Sequence, residues 1–189
     1  TWDCVRGQEG DAWAPLVGFT VDPRTHRNIC GSPEDNWIGQ DFANRTMMRN
    51  EADQSQTATF DRGLAFLDAN HKKDNWFLQL ETFDPHEPFF VQPHYKEMFP
   101  DGYQGPMLDW PDYRPLDESD GPDLVAHLRC QYAALLSMCD RNLGRVLDAM
   151  DRYDLWKDTM LIVNTDHGFL LGEHGQWAKC HCPFYEEVA

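Results

Sequence analysis

Asp166 and His167 stand side by side and are followed by Gly168, which permits a tight departure of the chain. A hard oxygen donor next to an imidazole makes half of a divalent-metal site, and it equally suits an Asp capping the next turn beside a partly exposed His. Shortly after comes Gly172-Glu173-His174-Gly175-Gln176-Trp177-Ala178-Lys179, a glycine-punctuated loop carrying a second His and a Lys. In a chain this poor in cations, a Lys near a metal and a His would form a local positive pocket for an anion. A further imidazole, His86, lies in Asp84-Pro85-His86-Glu87-Pro88. Its flanking prolines forbid continuation as a strand or helix, so His86 is presented on a stiff loop.

Cysteine chemistry is less well supported. The six cysteines (Cys4, Cys30, Cys130, Cys139, Cys180, Cys182) are irregularly spaced and contain no Cys-x-x-Cys pair, which argues against a zinc ribbon or a thioredoxin-like motif. Cys180-His181-Cys182 has the look of a metal clip, but i, i+2 ligands with no second pair elsewhere make a poor tetrahedral site. Cys130 and Cys139 fall on an apolar helical stripe and read as free thiols helping to fill a core.

These residues need elements to position them. Asn75-Trp76-Phe77-Leu78-Gln79-Leu80-Glu81 and Thr159-Met160-Leu161-Ile162-Val163-Asn164-Thr165 are short, nearly continuous apolar runs, predicting two strands buried in a sheet. The first would deliver His86 and the second Asp166-His167. In open α/β sheets, ligands bind just outside the carboxyl ends of strands. Phe60, Leu64 and Leu67 recur at helical spacing and predict a helix from Ser55 to about Asn70, with Ser55 or Thr57 as N-cap. After Gly121-Pro122, a stripe running from Leu124 through Leu136, Leu143 and Leu147 to Met150 predicts one long helix of about 44 Å. The helix-strand-helix-strand order points to an α/β layer fold.

Two stretches read as irregular. Residues 1–54 are rich in Gly, Pro, Asp, Asn and Trp and show no period, with Asp22-Pro23 and Gly31-Ser32-Pro33 as turns. Asn44-Arg45-Thr46 is formally a glycosylation sequon, which chance explains equally well. Residues 91–121 hold five of the twelve prolines. The aromatics there (Tyr95, Phe99, Tyr103, Trp110, Tyr113) read as pins holding a loop to the core, with a binding surface or a carbohydrate pocket as the other reading.

Charge narrows the partners. Across 189 residues, 32 Asp and Glu face 16 Lys and Arg, a formal net charge of −16. That balance excludes nucleic acid and disfavours an anionic lipid surface. With 41% hydrophobic residues there is apolar mass for one sizeable core, yet no apolar run long enough to span a bilayer. A start at Thr1 without a leader and an end at Glu186-Glu187-Val188-Ala189 without a cap read as a piece of a longer chain.

Taken together, Asn164-Thr165-Asp166-His167-Gly168, Leu171-Gly172-Glu173-His174-Gly175 with Lys179, and Pro183-Phe184-Tyr185 resemble the sulfatase family of the alkaline phosphatase superfamily. Asp84-Pro85-His86-Glu87-Pro88-Phe89 resembles its His-x-Pro-Phe loop, and Tyr132 to Asp151 is similar to the long helix before its metal-binding strand. Arg6-Gly7-Gln8-Glu9-Gly10 is a weaker match to a segment of some members. The resemblance implies part of an alkaline phosphatase-like α/β domain, a central sheet with flanking helices, in which residues 55–189 carry the site loops. It implies hydrolysis of sulfate esters, with Asp166 and His167 as metal ligands, usually to Ca2+. His86 and Lys179 become catalytic, sulfate-binding residues, His86 placed to assist the leaving group. The family's nucleophile is a formylglycine installed by a formylglycine-generating enzyme in Cys-x-Pro-Ser-Arg, a motif that none of the six cysteines begins. The substrate implied is a small-molecule or carbohydrate sulfate ester. The alternatives are a phosphonate or phosphate ester hydrolase of the same superfamily, using Mn2+ or Zn2+, and a non-catalytic binding relative.

Overall fold

In the computed structural model, the residues described are 37–179 together with Phe184 and Glu186. Cys4, Cys30, Cys180, Cys182, the turns near residues 22 and 31, and the Arg6 segment lie outside them. The helices are α1 (Trp37–Arg45), α2 (Ser55–Asn70), α3 (Pro93–Lys96) and α4 (Pro122–Arg152). Among the described residues the strands are β1 (Leu170–Leu171) and β2 (Trp177–Ala178), antiparallel, with Leu170 opposite Ala178 and Leu171 opposite Trp177. No described helix is long and apolar enough to cross a membrane.

The α4 helix is the spine. Pro122 opens it, where a missing N–H is harmless, and Asp154 just beyond its end takes a left-handed φ of 55° that halts it. Its 31 residues span about 46 Å. The first half buries Leu124, Leu128, Leu135 and Met138 against Phe89, Val91, Tyr95, Leu108 and the β1–β2 hairpin. The second half buries Val146, Ala149 and Met150 against Leu67 of α2, with Trp76, Leu78, Leu80 and Leu161 packed alongside. Truncating any one of Leu128, Leu135 or Met138 to Ala should cost about 2–5 kcal/mol. Leu136 and Leu147, expected in the stripe, are partly exposed instead, because the packed face turns toward Ala134, Leu135 and Met138.

The α2 boundaries agree with the periodicity, but the N-cap is Gln54 rather than Ser55 or Thr57. Gln54 is buried and donates to Gln92, so tertiary contact fixes this helix start. Gly63 of α2 gives Leu80 its seat: a Cβ there would lie 2.4 Å from Leu80 Cδ2.

Two expectations need correction and a third holds. Residues 75–81 and 159–165 join no ladder of the described residues. Trp76, Leu78 and Leu80 pack inward while Phe77 is 84% exposed; Met160, Ile162 and Val163 are also exposed. One side of each run rests on the second core and the other is open, because no described segment pairs with it. Residues 37–45, expected as irregular, form α1. Its buried positions include Asp41, Ala43 and Asn44, so hydrophobic periodicity is silent there. The Asn44 side chain is fully buried, so this fold leaves no room for a glycan on it. Finally, residues 91–121 are irregular apart from α3. Their aromatics do pin them down, with Tyr95 and Trp110 buried and Phe99 and Tyr103 packed on the first core.

An ion cluster supplies a further clamp. Arg45 bonds Asp41 at 2.7 Å and Asp109 at 2.7 and 3.2 Å, with all three side chains nearly buried. Burial alone would weaken the guanidinium's hold on its proton, but Asp109 and Asp41 outweigh it and raise its pKa.

Candidate active-site groove

The two open-sided runs and the loops that follow them line a groove of about 2590 Å³. Its lining includes His86, Asp166, His167 and Lys179, so the structure brings all four candidate residues to one cavity.

The loop bearing His86 is anchored by its neighbours. Phe89 is fully buried in the first core, edge-on to Tyr132 at 5.4 Å and to Phe169 at 5.5 Å. Its N–H donates to the Asp109 carbonyl at 2.7 Å. The peptide bonds before Pro85 and Pro88 are cis. His86 itself stands edge-on to Phe83, with ring centroids 5.8 Å apart.

Lys179 comes from the other side. Trp177 and Ala178 of β2 are buried in the first core, and Ala178 has a φ of 69°, a left-handed conformation uncommon without glycine. The chain turns there and delivers Lys179, itself largely buried, with Nζ 2.6 Å from His86 Nε2. Two residues that are 93 positions apart thus meet in one contact.

Asp166 and His167 form a second pair on the groove wall. His167 Nδ1 donates to the Gly168 carbonyl at 2.9 Å, which leaves Nε2 as the lone-pair nitrogen. That Nε2 lies 3.5 Å from Asp166 Oδ2. Donor atoms about 3–3.5 Å apart suit neighbouring positions around an ion with bonds near 2.0–2.6 Å, so the pair fits two ligands of a divalent cation. The described residues contain no group of three or more His, Cys, Asp or Glu able to enclose one. Asp166 is 85% exposed at its side chain. Hydrogen bonding from its own backbone N–H and from that of His167, with the field of Lys179, holds its carboxyl below the usual range and keeps it anionic.

His174 departs from the expected pocket. It bonds Glu186 at 2.9 Å, stacks on Phe184 and does not line the groove. Of the cysteines, Cys130 and Cys139 are free thiols, partly rather than fully buried. Burial pushes the Cys139 thiol up to about 12, so it is no nucleophile at neutral pH.

Two residues near the site carried no sequence signal. Glu87 is 1% exposed, and Tyr113, from the 91–121 excursion, donates its hydroxyl to Glu87 Oε1. An acid between His and Pro reads as a surface residue, and nothing in the spacing links it to a tyrosine 26 positions away.

The Sulfatase family profile matches residues 18–185. Iduronate 2-sulfatase of Homo sapiens is 30% identical over 129 residues, covering 55% of this chain and 24% of that protein. Choline-sulfatase of Rhizobium meliloti is 26% identical over 132 residues, covering 60% and 25%. The multifunctional alkaline phosphatase superfamily protein PehA of Trinickia caryophylli is 28% identical over 144 residues, covering 60% and 27%. The chain spans about a quarter of the length of these relatives.

Proposed function

Because the chain belongs to the sulfatase family, we propose that it forms part of the catalytic domain of an enzyme that hydrolyses sulfate esters. The observation that carries this reading is the Lys179–His86 contact at 2.6 Å in the groove lined by Asp166 and His167. The family implies an alkaline phosphatase-like α/β fold, of which the described residues hold helices and a two-stranded sheet. The apolar runs 75–81 and 159–165, each open on one side, are the places where its central sheet would continue. All 189 residues then belong to one partial domain, with residues 55–189 supplying the site loops.

Sulfate ester hydrolysis passes a sulfuryl group between oxygens, and negative charge spreads over the nonbridging and leaving oxygens. Lys179 would bind the nonbridging oxygens through its ammonium. His86 would hold a proton at Nε2 and give it to the leaving oxygen. Asp166 and His167 would hold one side of a divalent cation, calcium on the family's habit. When bound, that ion supplies positive charge to the sulfate oxygens. The attacking oxygen comes from beyond this chain, a formylglycine hydrate on the family's habit, made by a formylglycine-generating enzyme.

Relatives named for iduronate and for choline sulfate keep both carbohydrate and small-molecule sulfate esters as substrate classes. The second reading is a phosphonate or phosphate ester hydrolase of the same superfamily, using manganese or zinc, and a relative named as an alkaline phosphatase superfamily protein, PehA, keeps that superfamily in view. The test is turnover of matched sulfate and phosphate esters by the full-length protein and its Lys179→Ala and His86→Ala variants. We expect sulfate ester turnover that falls about 10²–10³-fold on loss of Lys179. Preferred phosphate turnover would move the assignment to the second reading, and no turnover of either ester would leave a binding protein.

A further inference from the structure

His86 is enclosed by groups of opposite charge. Its Nε2 lies 2.6 Å from Lys179 Nζ, and its Nδ1 lies 2.7 Å from the Glu87 carbonyl oxygen and 3.4 Å from Glu87 Oε2. An ammonium only donates, so Nε2 accepts from Lys179; a carbonyl oxygen only accepts, so Nδ1 carries the hydrogen. The ring is therefore the neutral Nδ1–H tautomer in this arrangement. A second proton at Nε2 would point straight at the ammonium and becomes favourable only when Lys179 turns toward an anion.

Glu87 is placed to counter that repulsion. Its carboxylate is buried, Oε1 accepts from Tyr113, and Oε2 has no hydrogen bond among the described residues. A buried carboxylate with an unmet oxygen is unfavourable unless a cation faces it, and the imidazole lies 3.4 Å from this oxygen. Among the described residues, the titratable groups that line the groove with the ring include Lys179 from the end of β2, Asp84 on the same loop, Glu186, and Asp166 with His167, and Tyr113 is joined to the ring's neighbour Glu87. Glu87 Oε2 lies within 4 Å of a ring nitrogen, the distance at which a carboxylate and an imidazolium attract directly.

We propose that Glu87, held by Tyr113, is a positioning residue for His86, fixing the ring with Nε2 toward the groove and stabilising its imidazolium once Lys179 is drawn to a substrate's anionic oxygens. This rests on the reading of His86 as proton donor given above. In that step the nucleophile's oxygen bonds to sulfur as the bond from sulfur to the leaving oxygen breaks. The leaving oxygen keeps the electron pair and takes the Nε2 proton, and His86 returns to the neutral Nδ1–H form. A cationic imidazole 3.4 Å from a buried carboxylate is the form that holds this proton ready.

The experiment compares the full-length enzyme with Glu87→Gln on 4-nitrophenyl sulfate, a good leaving group, and on an alkyl sulfate, whose leaving oxygen needs the proton. The expected result is about a tenfold or greater loss of kcat/KM on the alkyl ester against roughly threefold or less on the aryl ester. The basic limb of the pH profile should move down by about one unit, because losing the carboxylate makes the imidazolium give up its proton sooner. Tyr113→Phe should shift it in the same direction by less. Equal losses on both esters with an unmoved basic limb would overturn the proposal. NMR titration of the His86 ring in the presence of inorganic sulfate gives a readout that needs no turnover, and an unchanged midpoint in both variants would overturn it too. Wild-type protein that cleaves neither ester would sink the sulfatase reading, while the NMR titration still decides the role of Glu87.

Discussion

Replacing Arg45 by Met should cost about 4 kcal/mol of stability, and most of that loss should be recoverable. The guanidinium is the shared partner of two nearly inaccessible carboxylates, Asp41 and Asp109, at 2.6 and 2.7 Å. It also lies over the Phe42 and Phe90 rings at 4.3 and 4.8 Å. Removing one member of a buried ion cluster costs about 3–5 kcal/mol, because the remaining charges lose the countercharge that offset their burial. The ring contacts add roughly 0.5–1 kcal/mol each, partly replaced by the methionine chain. Without the cation the two acids must bind a proton to stay buried, so their folded-state pKa values rise above the unfolded ones. The variant's deficit should then be smallest at acid pH and grow as pH rises through those values. The assay is denaturant unfolding of full-length protein across pH, with Asp41→Asn and Asp109→Asn added to the Arg45→Met background. Removing both charges should recover about 2 kcal/mol or more. A loss under about 1 kcal/mol, or no recovery in the triple variant, would refute the reasoning.

Two further outcomes follow from the geometry. Asp120 is held by Arg114 at 2.5 and 3.1 Å; burial would raise its carboxyl, but these bonds outweigh it and bring it down from 3.8 to about 2. A depressed acid stabilises above its unfolded value and stops doing so as pH falls from about 4 to about 2, a contribution of roughly 2 kcal/mol before solvent screening at Arg114. Asp120→Asn should lower the melting temperature at neutral pH and flatten that acid arm. Gly172 has a φ of 95°, and a Cβ there would sit 2.9 Å from Val125 Cγ1. Gly172→Ala should therefore cost about 1–2 kcal/mol, read from the melting temperature, and Val125→Ala should relieve part of that loss.

The long helix was the most legible element, since its apolar stripe repeats over 31 residues and needs nothing outside itself to be read. The same holds for α2. The runs at 75–81 and 159–165 carry the composition of buried strands, but a strand also needs a partner, and composition does not name one. The first helix was hidden for the opposite reason: it buries Asp41 and Asn44, and the partners that let them face inward, Arg45 for Asp41 and Gln40 for Asn44, show in the structure and not in the pattern. For the candidate site, Asp166, His167, His86 and Lys179 were singled out because their types are unusual in their settings and their spacing matches a family pattern, and the structure places all four along one groove. Glu87 and Tyr113 were not, since their significance lies in burial and in one contact across the chain.

Both hydrophobic clusters hang from the same rod, and this has a consequence for how the molecule comes apart. The first half of α4 supports the hairpin that delivers Lys179 and the loop that carries His86, while the second half supports α2 and the two open-sided runs. Neither half can lose its packing without stripping support from a continuous ladder of backbone hydrogen bonds that the other half also uses. Amide hydrogen exchange along α4 should therefore be slow and nearly uniform, governed by global opening, with faster exchange at residues 159–167. The loop of Asp166 and His167 would be the region free to adjust, while the backbone that delivers Lys179 and His86 keeps its place until the whole domain unfolds, leaving the lysine side chain to turn on a fixed base.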